Sequence, residues 1–145
     1  MQHNFDIIIS GAGLAGLVTA VAFGSAGFDV PCVDPALPVT ERDKPGADLR
    51  STAFLQPARD FLVSLGLWDH LSTHATPLEV MQIMDAGAGD KTPRVTKQFE
   101  ARDISELPFG WNLPNWLLRR EILKILHQLP NVTQRSGIAS VGLVT

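Results

Sequence analysis

Between Ile7 and Phe28 the chain runs 22 positions without a charged residue, and five of those positions are glycines. A run of that length matches the thickness of a bilayer. Gly11, Gly13 and Gly16 nevertheless break it where a spanning helix needs continuity, and no Lys or Arg precedes Arg42 to supply the positive flank of a signal sequence. Two buried elements joined at a glycine turn account for the run better. Phe5–Ile9 is a short segment, β-branched and apolar apart from Asp6, the pattern of a strand buried on both faces. Leu14–Gly27, rich in Leu, Ala and Val and closed by a glycine, is predicted to be a helix. Phe28–Asp34 is predicted to be a second strand, although Pro31 is uncomfortable inside a central one. Strand, helix and strand in this order make a βαβ unit, whose crossover is right-handed.

The turn itself, Gly11-Ala12-Gly13-Leu14-Ala15-Gly16, carries the chemistry. G-x-G-x-x-G alone is a weak signal, but here it follows a buried strand, opens a helix and precedes an acid at the end of the next strand. Gly11 permits the tight turn, Gly13 lets the backbone approach a pyrophosphate, and Gly16 lets the helix pack closely. The N–H groups around Leu14 and Ala15 then face the phosphates with the positive end of the helix dipole behind them. Asp34, 18 positions beyond Gly16, is placed to accept hydrogen bonds from an adenosine ribose, and its charge disfavours a 2′-phosphate. The expectation is therefore FAD or NAD rather than NADP. Ala20 continues a small-residue face of the kind FAD-binding domains show, a soft preference for FAD.

The remaining composition excludes other classes. The chain has 145 residues, ample for one domain core, and 45% of them are hydrophobic. Twelve Lys and Arg among fifteen Asp and Glu leave a net charge of −3 and no electrostatic footprint for nucleic acid. A single Cys32 rules out a disulfide framework and a multi-cysteine zinc site, and on a buried strand it reads as a small hydrophobe. Of four histidines, only His70 and His74 share helical spacing, without the acid of a zinc motif, so no metal site is expected.

Further along, Pro35–Leu49 reads as a polar connection. Phe54, Ala58, Phe61, Leu62 and Leu65 recur at helical spacing, predicting a helix that starts near Phe54 or Leu55, carries Pro57 in its first turn and closes at Gly66. Glu79–Met84 and Arg94–Glu100 are predicted to be a hairpin around the turn-rich 85–90 segment. Asn115 is placed to N-cap a helix bearing Leu118, Ile122, Ile125 and Leu126, which must stop before Pro130. Val132–Gln134 and Ile138–Val144 are short strand candidates.

Asp48-Leu49-Arg50-Ser51-Thr52-Ala53-Phe54, Leu65-Gly66-Leu67-Trp68 and Asn115-Trp116-Leu117-Leu118-Arg119-Arg120 together carry a family resemblance. They resemble the D-x-R-x-x-A-L, L-G-L/V-W and N-x-x-L-R segments of the FAD-dependent aromatic hydroxylases of ubiquinone biosynthesis, which are para-hydroxybenzoate hydroxylase-like class A flavin monooxygenases. Pro57 and Trp116 depart from the family's pattern and leave the helix starts open. The resemblance implies an α/β fold, a Rossmann-like FAD-binding βαβ core with part of an antiparallel hairpin insertion.

It also implies that residues 1–145 are the N-terminal part of the FAD-binding domain. The family's later G-A-D-G and G-D-A-A-H motifs have no counterpart here, and Gly46-Ala47-Asp48 and Gly89-Asp90 are not assigned to them. On this reading the chain is truncated and inactive alone. The implied activity of the parent is NAD(P)H-dependent monooxygenation of an aromatic ring, a polyprenyl phenol, in the cytoplasm and peripheral to the inner membrane. Gly11, Gly13, Leu14, Ala15, Gly16, Asp34, Arg50 and Arg119 are the expected cofactor-binding residues, with Arg120 a rival to Arg119. No catalytic side chain is expected, because the cofactor carries the chemistry. Two alternatives stay open: a non-catalytic dinucleotide-binding module, and part of an NAD-dependent dehydrogenase.

Overall fold

The structure, a computed structural model, describes residues 4–85 and 94–139. In chain order the elements are β1 (Ile9–Ser10), α1 (Leu14–Ser25), β2 (Val30–Asp34), β3 (Ser51–Leu55), α2 (Gln56–Ser64) and α3 (Trp68–Leu71). They continue with β4 (Thr76–Leu78), β5 (Val80–Asp85), β6 (Val95–Glu100), β7 (Gly110–Pro114), α4 (Asn115–Leu126) and β8 (Val132–Ser136). Strands β1, β2 and β8 form a parallel sheet with β2 in the middle. Strands β3, β7 and β4 form an antiparallel sheet with β7 central, and β5 and β6 pair as a separate antiparallel ribbon.

The expected strand–helix–strand unit is present, with shorter strands than the apolar pattern suggested. The first strand pairs only through Ile9 opposite Cys32 and Ser10 opposite Val33, while Asp6 and Ile7 reach across earlier to the Asp29 carbonyl. Pro31 does sit in a central strand. Val30 donates its N–H to Asn131 on the β8 side, so alternation turns Pro31 toward β1, where pairing begins only at Cys32. The missing proline N–H thus falls outside the paired part of that edge. Helix α1 ends at Ser25, and Gly27 follows it with a left-handed backbone, as a helix-closing glycine should.

One core unites the two sheets. Leu17, Ala20 and Val21 of α1, Val30 and Cys32 of β2, and Leu118, Ile122 and Leu126 of α4 are all almost wholly buried, and Leu113, Leu62, Leu67 and Leu71 extend the cluster. Fully burying a side chain of this size is worth about 1.5–3 kcal/mol. The Leu-Gly-Leu-Trp segment belongs to this core: Trp68 meets Trp111 edge to face at 5.3 Å, and the Arg59 guanidinium lies over both rings at 5.6 and 5.3 Å. Cys32 is buried, with its thiol aimed at the Gly11 carbonyl; burial, followed by the nearby Asp34 charge, pushes its pKa up, which suits an inert packing residue.

Two expectations about the second half need correction. The helix expected from near Phe54 or Leu55 is α2, which has Leu55 as its N-cap, begins at Gln56 and carries Pro57 in its first turn; Phe54 itself lies in β3. Strands β3, β4 and β7 are not among the expected elements. The hairpin is borne out as β5 and β6, with Met81 opposite Phe99 and Asp85 opposite Val95; its tip, residues 86–93, lies outside the described residues. The second fragment of the C-terminal pair, Ile138–Val144, lies largely outside them too.

Candidate nucleotide site

The C-terminal ends of β1 and β2 and the N-terminus of α1 converge on one hollow of about 320 Å³, lined by Ala12, Gly13, Asp34, Ala36, Leu37, Pro38, Val39, Gly46 and Arg119. That volume is at the lower end of the range for small-molecule sites. Gly11 takes a left-handed backbone, φ +108°, and donates its N–H to the Val33 carbonyl at 2.7 Å. The turn is thereby pinned to the second strand. A Cβ on Gly16 would stand 1.9 Å from the Gly11 carbonyl oxygen, so only glycine lets α1 lie this close to the turn. A Cβ on Gly13 would meet nothing within 4 Å. Gly16 is needed by the fold, whereas the space over Gly13 is free.

Helix α1 begins with Gly13 as its N-cap, without a side-chain cap and without an acid in its first turn. The first N–H to find a helical partner is that of Leu17, bonded to the Gly13 carbonyl. The N–H groups of Leu14, Ala15 and Gly16 are the ones such a start leaves over, and the positive end of the helix dipole adds to them. An anion fits there.

Asp34 stands across the hollow. It accepts the Ala12 N–H at 2.7 Å on one carboxylate oxygen and the Ala36 N–H at 2.9 Å on the other. The Ala36 and Ala12 hydrogen bonds, with the Arg119 charge adding less, hold its pKa below the ordinary carboxylate value. Each oxygen keeps lone-pair capacity for a ligand hydroxyl. A depressed folded-state pKa means that this anchoring stabilises the fold above the unfolded value, about 3.9, and is lost as pH falls through the folded value. The melting temperatures of wild type and Asp34→Asn are therefore expected to differ most above about pH 4 and to converge as the pH is lowered further.

The two predicted arginines are placed differently. Arg119 lines the hollow with its side chain 21% exposed; its Nη2 lies 3.7 Å from Asp48 Oδ2, and its Nε is buried without a partner. Arg50 is outside the hollow. Its side chain is 83% exposed and forks onto Asp48, Nε and Nη2 each at 2.8 Å from a carboxylate oxygen. Arg120 is not among the residues that line the hollow: it lies over the Trp116 ring at 5.2 Å and bonds Glu121 at 2.7 Å. Burial alone would raise the Glu121 pKa, but hydrogen bonds from Lys124 and Arg120 outweigh it and hold it below its usual value.

Asn115 is not the N-cap it was expected to be. Pro114 occupies that position, and Asn115 is the first helical residue, 7% exposed. Its Oδ1 accepts from the Thr52 hydroxyl at 2.6 Å, and its Nδ2 donates to Asp48 Oδ2 at 3.0 Å. Asp48 and Asn115 belong to the segments that carry the family resemblance, but neither is among the expected cofactor-binding residues. One signal was available: Asn115 and Arg119 are four apart, as are Trp116 and Arg120, so each pair shares a helix face.

Among the described residues no group of His, Cys, Asp and Glu is arranged to hold a metal, and no helix is long and apolar enough to cross a membrane. The residues at the hollow suit a nucleoside diphosphate: the helix-start donors of α1, the Arg119 guanidinium, and an anchored carboxylate lining the same space.

No family profile matches the chain. It is 28% identical over 134 residues to ubiquinone hydroxylase UbiM of Neisseria meningitidis, covering 92% of this chain and 29% of that protein. It is 30% identical over 128 residues to ubiquinone hydroxylase UbiL of Rhodospirillum rubrum, covering 88% and 28% respectively. Over most of its length the chain is similar to these two ubiquinone hydroxylases. Its fold is also that of part of the flavin-dependent monooxygenase PieE, solved in complex with FAD and substrate, with a TM-score of 0.62, 23% identity, and 92% of this chain and 24% of that one covered. The chain spans less than a third of the length of each of these ubiquinone hydroxylases.

Proposed function

We propose that residues 1–145 are the N-terminal part of the FAD-binding domain of an NAD(P)H-dependent aromatic-ring hydroxylase, with a Rossmann-like core. The observation that carries this reading is the hollow in which the open N-terminus of α1, Asp34 and Arg119 meet at the ends of two parallel strands. The N–H groups of Leu14, Ala15 and Gly16 and the Arg119 guanidinium would hold the pyrophosphate. Asp34 would take the adenosine ribose. Arg50 would reach the ligand only by leaving or sharing Asp48. When bound, FAD supplies the redox and oxygen chemistry of a monooxygenase. This segment binds and orients it, and contributes no catalytic side chain.

The relatives' names support an aromatic substrate of ubiquinone biosynthesis, a prenylated phenol, for the whole protein. Contact with such a substrate would bring the whole protein to the cytoplasmic face of a membrane as a peripheral visitor.

The test is the visible spectrum of the purified chain after incubation with FAD and removal of free ligand. Retained flavin absorption is expected, lost in Asp34→Ala. A colourless protein that retains NAD instead would overturn the FAD reading in favour of a dehydrogenase-type site.

A further inference from the structure

An anion-binding site is an odd place for a carboxylate, yet Asp48 stands beside Arg119 with its side chain only 11% exposed. Everything around it is tied through it. Both Asp48 oxygens take the Arg50 fork at 2.8 Å, Oδ1 also faces the Arg50 backbone N–H at 3.2 Å, and Oδ2 accepts from Asn115 at 3.0 Å and lies 3.7 Å from Arg119. The backbone follows the same path. Asn115 donates its N–H to the Arg50 carbonyl at 2.9 Å and Trp116 donates to the Asp48 carbonyl at 3.3 Å. Loop carbonyls thus take the helix-start donors of α4 that a capping side chain would otherwise satisfy. Asn115 then continues the chain of bonds to Thr52 in β3.

We propose that Asp48 and Asn115 are positioning residues of the nucleotide site, locking the 48–50 loop and the first turns of α4 into one unit that fixes the Arg119 guanidinium against the hollow. The proposal rests on the nucleotide reading above. Holding a long, rotamer-rich side chain before the ligand arrives removes an ordering cost from binding. Asp48 stands beside one flank of the guanidinium, and the residue lines the hollow with the part of its side chain that stays exposed.

Charge and geometry make opposite demands, which gives the test its power. Asp48→Asn removes a negative charge near a bound anion, so electrostatics alone would tighten binding. Loss of the anchor is expected instead to weaken binding of ADP, measured by titration calorimetry on the full chain, by about tenfold. The exchange Asp48→Asn with Asn115→Asp restores an amide–carboxylate pair but moves the charge away from Arg50. It is expected to recover melting temperature without recovering ADP affinity, whereas a merely structural role would recover both. Should Asp48→Asn not fold, Asn115→Ala leaves every charge in place and is expected to weaken ADP binding as well. Wild-type affinity in a folded Asp48→Asn or Asn115→Ala protein would overturn the proposal. A wild-type chain that binds neither ADP nor FAD would take down the nucleotide reading and this proposal together, and it would show before any variant is made.

Discussion

The Gly16→Ala protein is expected to lose its fold or to melt far below wild type, while Gly13→Ala keeps its fold and loses its ligand. The added Cβ at position 16 would lie 1.9 Å from the Gly11 carbonyl oxygen and 3.0 Å from its carbon. Both are backbone atoms of a turn held by the Gly11 N–H bond to Val33, so neither can move without pulling β1 from β2. Overpacking costs about 1–3 kcal/mol, and occasionally more, with the upper end expected where a rotamer change cannot relieve it. That is a large share of the roughly 5–15 kcal/mol that holds a domain together.

At position 13 the backbone, φ −69° and ψ 178°, is ordinary for any residue, and the space beyond is open. The poorer capping of alanine and its stiffer unfolded chain nearly offset each other, so stability should stay within about 1 kcal/mol of wild type. The new methyl stands where the hollow would receive a phosphate. Urea unfolding and FAD titration of the two variants separate the roles: a Gly16→Ala protein of wild-type stability would refute the close-approach argument.

The same contrast explains which parts of the molecule could be read in advance. Gly11 and Gly16 act through local backbone geometry, Asp34 bonds Ala12 only 22 residues back, and the β1–α1–β2 order follows from them. The antiparallel sheet does not. Phe54, Ala58 and Phe61 fit a helical period, and Ala58 and Phe61 do lie in α2; only the long-range pairing of Ser51 to Leu55 with Gly110 to Pro114 makes a strand of the stretch that includes Phe54. Such short, half-exposed strands, with Thr52 and Asn112 among their residues, carry little propensity of their own, so distant partners decide. Asn115 shows the limit most sharply. Asparagine favours the N-cap, but its actual partners, Thr52 and Asp48, are 63 and 67 residues away. Arg50 and Arg119 were both singled out as cofactor residues, and the structure separates them: one lines the hollow, and the other is parked on the carboxylate that joins them.

Arg119→Met is expected to lower affinity for FAD and for ADP by about a hundredfold, as for loss of a charged hydrogen-bonding fork. Its effect on the ligand-free fold should be small. The guanidinium has a buried Nε with no partner and only a 3.7 Å approach to Asp48, so removing it relieves an unsatisfied donor as well as losing an ion pair. Thermal melting without ligand should therefore place the variant close to wild type, and the stabilisation that wild type gains from added FAD should vanish, because only a ligand that binds the folded state raises the melting temperature. Arg119→Lys is expected to recover little: an ammonium keeps the charge but cannot hold Asp48 on one flank while donating from the other. Arg120→Met, one residue on, should leave affinity unchanged, since that side chain serves Trp116 and Glu121. A lysine variant with full affinity would mean that charge alone matters at this position. Equal losses at 119 and 120 would mean that the face of α4 turned to the hollow is not the one described.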